Sequence, residues 1–238
     1  MIKLLLLLLK GASFGKFFLS GGTMLLSMGL YAWTFGWPFA VGLVALLLIH
    51  EMGHYIAAKQ KGLDVGLPMF MPFMGAWVSL KDIPHNAETD AYVGMGGPLL
   101  GTLGAVGFFY AARNTGSQLL LVLASTGCFI NLVNLIPLKP FDGGHITAVV
   151  SRKMWLIGAP VLTVWFLNNP SPLLFFIVIL AIPHVWHAMR GQETDEERAY
   201  HIASMETRIA YAVAYFGLVI FLAMMWYSIQ QELPQRSL

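Results

Sequence analysis

A chain of 238 residues that is 57% hydrophobic and only 11% charged departs from ordinary soluble domains, in which about 25% of residues are charged. Its mean hydropathy of +0.68 means more apolar surface than a core of this size can hide, and a bilayer is the solvent that accepts such surface. The net charge is only +2, and no basic patch is interleaved with polar aromatics, so nucleic-acid binding is excluded as a class.

The N-terminal segment begins Met1-Ile2-Lys3 and continues as a leucine run over 4–9. This is shorter than the about 7–15 apolar residues of a secretory signal, and Lys10 and Lys16 follow where a small-residue cleavage site belongs. It reads as a retained interfacial lead-in to a first span at 17–35. The turn Phe35-Gly36-Trp37-Pro38 separates that span from a second at 38–60. Further spans are predicted at 91–112, 117–137, 154–168, 172–190 and 207–229, the fifth being short for a crossing.

Two regions break the helical pattern. Residues 65–80 are apolar, too short to span, and punctuated by Pro68, Pro72, Gly66 and Gly75. They predict a hairpin dipping back into the membrane, where extended backbone must be buried in protein or line a wet cavity. The second break is Pro137-Leu138-Lys139-Pro140-Phe141-Asp142-Gly143-Gly144. The fold class is therefore all-α and polytopic, with six to seven transmembrane helices and a re-entrant β-hairpin. We read 1–238 as one domain, with a core at 17–153 and additional C-terminal spans at 154–229. The lone cysteine, Cys128, excludes an intrachain disulfide and a thiolate zinc site, and its apolar surroundings predict a buried core residue.

The basic residues orient the layout. With the N-terminus in the cytosol, Lys3, Lys10, Lys16, Lys59, Lys61, Lys81, Arg152, Lys153, Arg190, Arg198 and Arg208 all fall inside. Only Arg113 and Arg236 fall outside, and Lys139 lies within the membrane region. This is the bias of the positive-inside rule. It predicts an integral protein of the cell (cytoplasmic) membrane with its chemistry near the cytosolic face.

That chemistry is carried by His50-Glu51-Met52-Gly53-His54. Residues four apart share a helix face, so the two imidazoles can bind one Zn²⁺ while Glu51 takes a proton from the water it activates. Three ionisable groups in one turn of a span are an expensive way to pack helices, which favours function over packing. A catalytic zinc takes three protein ligands. With Glu51 as the base, Asp142 is the carboxylate left outside loops and termini. Its alternative role is to cap a helix starting at Gly143.

These motifs, together with Asn134-Leu135-Ile136-Pro137 leading to Asp142-Gly143 and with Gly96-Gly97-Pro98, resemble the site-2 protease family of intramembrane zinc metalloproteases. The resemblance covers about residues 17–150. It implies one Zn²⁺ held by His50, His54 and Asp142, with Glu51 catalytic. It also implies a hairpin that presents an unwound substrate, and substrate-binding roles for Asn134 and Gly75. Asn131 rivals Asn134. The implied partners are the lipid bilayer and transmembrane protein substrates already trimmed outside the membrane. No stretch fits the PDZ or CBS domains that many members carry, so the chain reads as a minimal member. His145 is either a hydrogen-bond partner of the site or an interfacial histidine. His184 and His187 read as interfacial packing without a carboxylate. Two rival functions are a metal-ion transporter using the same ligands and an inactive relative acting as a membrane chaperone.

Overall fold

The computed structural model describes residues 2–71, 75–190 and 194–234, with side chains from residue 19 onward. Helix α1 (Ile2–Phe35) runs without interruption through the leucine-rich lead-in and the first predicted span. It ends at Gly36, whose φ of 83° allows the sharp turn, and Pro38 then opens α2 (Trp37–Gln60). Strands β1 (Met69–Met71) and β2 (Gly75–Trp77) pair antiparallel, Met69 opposite Trp77 and Met71 opposite Gly75, with a further bridge between Val65 and Leu80. The predicted hairpin at 65–80 is thus present; its residues 72–74 lie outside the described residues.

Helix α3 (Ala87–Thr115) starts where the Asn86 side chain accepts the Thr89 N–H at 2.8 Å, and it stops at Gly116 in the left-handed region. It begins four residues before the predicted span, which brings Asp90 inside the helix. Helix α4 (Gln118–Asn134) is capped by Ser117. The chain then breaks over 135–141 and resumes as α5 (Asp142–Val150). A 3-10 turn at Arg152–Met154 leads into α6 (Trp155–Asn168), followed by α7 (Pro172–Arg190), the short α8 (Asp195–Tyr200) and α9 (Met205–Glu232).

Among the described residues, four helices are long and apolar enough to cross a membrane: α2, α3, α7 and α9. Helix α4 has 17 residues and α6 only 14, in line with the weak span predicted at 154–168. Large apolar side chains face outward along this bundle; Val213 and Met224 on α9 are each 67% exposed. A soluble surface does not carry such continuous apolar faces. The chain is a polytopic, all-α integral membrane protein with one small sheet.

Helix α3 is the centre of the packing. It lies against α2, α4 and α5 and also touches α9, while α1 covers α2 and the hairpin, and α6 and α7 pair with each other. The core runs between α3, α4, α5 and α9 through Ala105, Cys128, Leu135, Ile146, Leu222 and Ile229. Cys128 is fully buried and free. The break after α4 is braced from α9, where the Tyr215 hydroxyl donates to the Leu135 carbonyl at 2.5 Å.

Candidate active site

The site begins where α2 crosses α3. A Cβ at Gly53 would lie 2.1 Å from the Gly96 carbonyl oxygen, and one at Gly97 would lie 2.1 Å from His54 Nε2. The absence of side chains at these positions lets the two backbones touch and seats the His54 ring against α3. His50 and Glu51 are buried in the same stretch of α2.

Each imidazole is oriented by an acceptor behind it. His54 Nδ1 lies 2.8 Å from the Val93 carbonyl oxygen, so Nδ1 carries the proton and donates. His50 Nδ1 lies 2.9 Å from Asn131 Oδ1. The Asn131 amide nitrogen donates to the Gly127 carbonyl at 2.7 Å, which identifies Oδ1 as the acceptor and His50 Nδ1 as the donor. Both rings therefore turn an unprotonated Nε2 toward the cavity, as metal-binding histidines do when their other nitrogen is held.

Asp142 completes the cluster. It occupies the first turn of α5; Phe141 is the N-cap residue and makes no side-chain cap bond. The Asp142 carboxylate is not spent on capping and turns to the histidines instead. Its Oδ2 is 3.1 Å from His50 Nε2 and 3.3 Å from His54 Nε2, and the two Nε2 atoms are 3.2 Å apart. Three lone-pair acceptors this close repel one another unless a cation or proton lies among them. The triangle also matches the edge of a coordination tetrahedron, about 3.3 Å for metal–ligand bonds of about 2.0–2.1 Å. Among the described residues, His50, His54 and Asp142 are the group of three that can hold a metal ion.

Glu51 lies beside this triangle, with the Val78 backbone at the end of the hairpin close to its carboxylate. Both face a cavity of about 640 Å³. Gly75 and Asn134 line it as well, and Leu43, Leu47, Val133 and Leu174 supply apolar walls. Of the two rival asparagines, Asn131 touches a histidine while Asn134 faces the open space.

Sequence reasoning missed three of these parts. The Val93 carbonyl is a backbone group with no residue-type signal. Asn131 enters the sequence reading only as a rival of Asn134 for the substrate; its contact with His50, 81 positions away, leaves no trace in sequence beyond a polar residue in an apolar span. Asp90 fell one residue outside the predicted third span, yet it is buried in α3 and lines the cavity. It also gives His145 a hydrogen-bond partner, the first of its two readings, since His145 Nδ1 lies 2.9 Å from Asp90 Oδ1. The reading of His187 needs a correction. It does have a carboxylate partner: Glu197 of α8 approaches His187 Nε2 at 3.0 and 3.1 Å, since the chain turns back beyond α7. His184 packs edge-on against Trp155, with ring centroids 5.6 Å apart.

Comparison with known proteins agrees with this geometry. Residues 38–116 match Peptidase family M50. The chain is 30% identical to "Probable zinc metalloprotease EGY1, chloroplastic" of Oryza sativa subsp. japonica, over 48% of this chain and 19% of that protein. It is 31% identical to "Zinc metalloprotease MJ0392" of Methanocaldococcus jannaschii, over 45% of this chain and 32% of that protein. To "Probable zinc metalloprotease EGY2, chloroplastic" of Oryza sativa subsp. japonica it is 24% identical over 75% of this chain and 41% of that protein. The matches thus span between 19% and 41% of these relatives' lengths. The stretch from α2 through α3, which carries both histidines and Glu51, is where the chain is similar to peptidase family M50.

Proposed function

We propose that the chain is a zinc-dependent endopeptidase that hydrolyses peptide bonds in or near transmembrane segments of membrane proteins. The observation that carries this reading is the convergence of three acceptor atoms, on His50, His54 and Asp142, beside the Glu51 carboxylate in a cavity of an apolar helical bundle. His50 and His54, through Nε2, and the Asp142 carboxylate are the residues that would hold the zinc. A zinc held there lowers the pKa of water and polarises a carbonyl oxygen.

The protein's own groups supply the rest. Glu51 accepts the proton of the attacking water and returns it to the leaving amine, a role typically contributing about 10²–10⁴-fold. Asn134, on the cavity wall, donates its amide N–H to the substrate backbone or to the oxygen that gains charge. A helix resists hydrolysis while its amides are internally bonded, so the substrate must unwind. The edge of β2 near Gly75 takes the unwound stretch as an added strand and satisfies its N–H and C=O groups.

The substrates in this reading are single-span proteins already trimmed outside the membrane. The basic residues support a cytoplasmic-membrane location with the N-terminus and site toward the cytosol. The test is cleavage of a single-span substrate in proteoliposomes. Glu51→Gln retains zinc and loses cleavage, whereas Asp142→Ala loses zinc as well. Wild-type cleavage by Glu51→Gln overturns the mechanism. Zinc flux through the wild-type protein without any cleavage indicates a transporter instead.

A further inference from the structure

Beyond the cluster and Glu51, one buried carboxylate is left over among the described residues. Asp90 on α3 is 6% exposed. It meets Lys139 Nζ at 3.4 Å and His145 Nδ1 at 2.9 and 3.0 Å, and the Tyr200 hydroxyl of α8 faces it too. Lys139 stands three residues before Asp142, and His145 stands three residues after it. We propose that Asp90 is a positioning residue for Asp142, clamping both flanks of the segment that presents this carboxylate to His50 and His54. The inference rests on the metal-binding reading given above.

The segment needs such a clamp. It follows a break in which Pro137 and Pro140 remove two backbone donors, so helical hydrogen bonds do not hold it. Asp142 is the first residue of a nine-residue helix, and its Oδ2 must stay within 3.3 Å of two rings on another helix. Packing alone does not require an ionised group here, and burying one is costly unless it is paired. Asp90 is paired to cationic or donor groups on both sides of Asp142, which an apolar residue cannot do.

The placement of Asp90 on α3 adds a second reason. Residues 90, 93 and 97 fall on one helix face. From that face the Val93 carbonyl orients His54, Gly97 seats its ring, and Asp90 holds the Asp142 segment. The α3–α5 contact is close along this line, since a Cβ at Gly94 would lie 3.1 Å from His145 Cβ. One rigid helix thus sets the distance between donors that come from α2 and α5. Outer partners of metal ligands typically change metal affinity by about 10–100-fold when lost.

The experiment measures the Zn²⁺ dissociation constant of the full chain, folded and metal-free in detergent, by competition with a chelator. Asp90→Ala raises that constant about 10–100-fold. Asp90→Asn, which still accepts from His145, recovers part of the loss. Thr102→Ala is the control: Thr102 is buried on α3, and its hydroxyl bonds only back to the Pro98 carbonyl. It lowers the unfolding temperature without moving the zinc constant. His145→Phe approaches the clamp from the other side, and combined with Asp90→Ala it adds less than its separate effect. Folded Asp90→Ala with wild-type zinc affinity overturns the inference. Should Asp90→Ala not fold, His145→Phe with wild-type affinity does so. A wild-type protein without zinc affinity overturns the metal-binding reading itself, which separates the two failures.

Discussion

Asn131 shows how much one side chain behind a ligand can decide. It is 2% exposed, with its oxygen facing His50 Nδ1 and its nitrogen on the Gly127 carbonyl. Both ends are therefore committed, and the His50 tautomer follows from the pair. A Cβ at Gly101 would lie 2.4 Å from Asn131 Oδ1, so α3 leaves room for this amide in the same way as it does for His54. Replacing Asn131 with Leu leaves a buried imidazole N–H without an acceptor, at a cost of about 1–3 kcal/mol. We expect zinc affinity to fall about 10–100-fold, read by chelator competition; an unchanged affinity would show that the Asn131 contact does not orient His50. Of the residues in this site, His50, Glu51 and His54 were legible because their spacing is local to one helix turn. The role of Asn131 was not, because its partner lies on another helix.

At the scale of elements, the crossing of α2 and α3 carries the site. A Cβ at Gly53 meets backbone atoms of Gly96 and Gly97, which cannot move aside as a side chain can. Gly53→Ala must therefore separate the helices, with an expected loss of about 1–3 kcal/mol. Zinc content should fall with it, because His54 loses its distance to the Val93 carbonyl. Gly217→Ala on α9 has no atom within 4 Å of the new Cβ and should be neutral. Thermal unfolding and zinc analysis of the two variants check this pair. The hairpin was legible from its Pro and Gly punctuation, since only an irregular segment uses them so densely. The start of α3 was read late: Asn86, Glu88 and Asp90 look like a polar loop in sequence, although they are a cap and a first helical turn.

In the whole molecule, the proposed zinc site links metal binding to the fold. An ion bound by residues from α2 and α5 stabilises the native bundle and not the unfolded chain, by about 2.7 kcal/mol when free zinc is 100 times its dissociation constant. Removing zinc with a chelator should lower the unfolding temperature of the wild-type protein in detergent and leave Asp142→Ala unchanged; equal shifts in both would place the metal elsewhere. The sequence by itself determined that the chain is a membrane protein built of apolar helices, because hydropathy and helical period are local properties of the chain. It likewise determined that two histidines share one helix face with a glutamate beside them. Only the tertiary structure decided which distant groups stand behind them. Asn131 comes from α4, while the Val93 carbonyl and the Asp90 clamp on the flanks of Asp142 come from α3. Their meeting depends on the crossing and rotation of packed helices, which no local pattern of residues encodes.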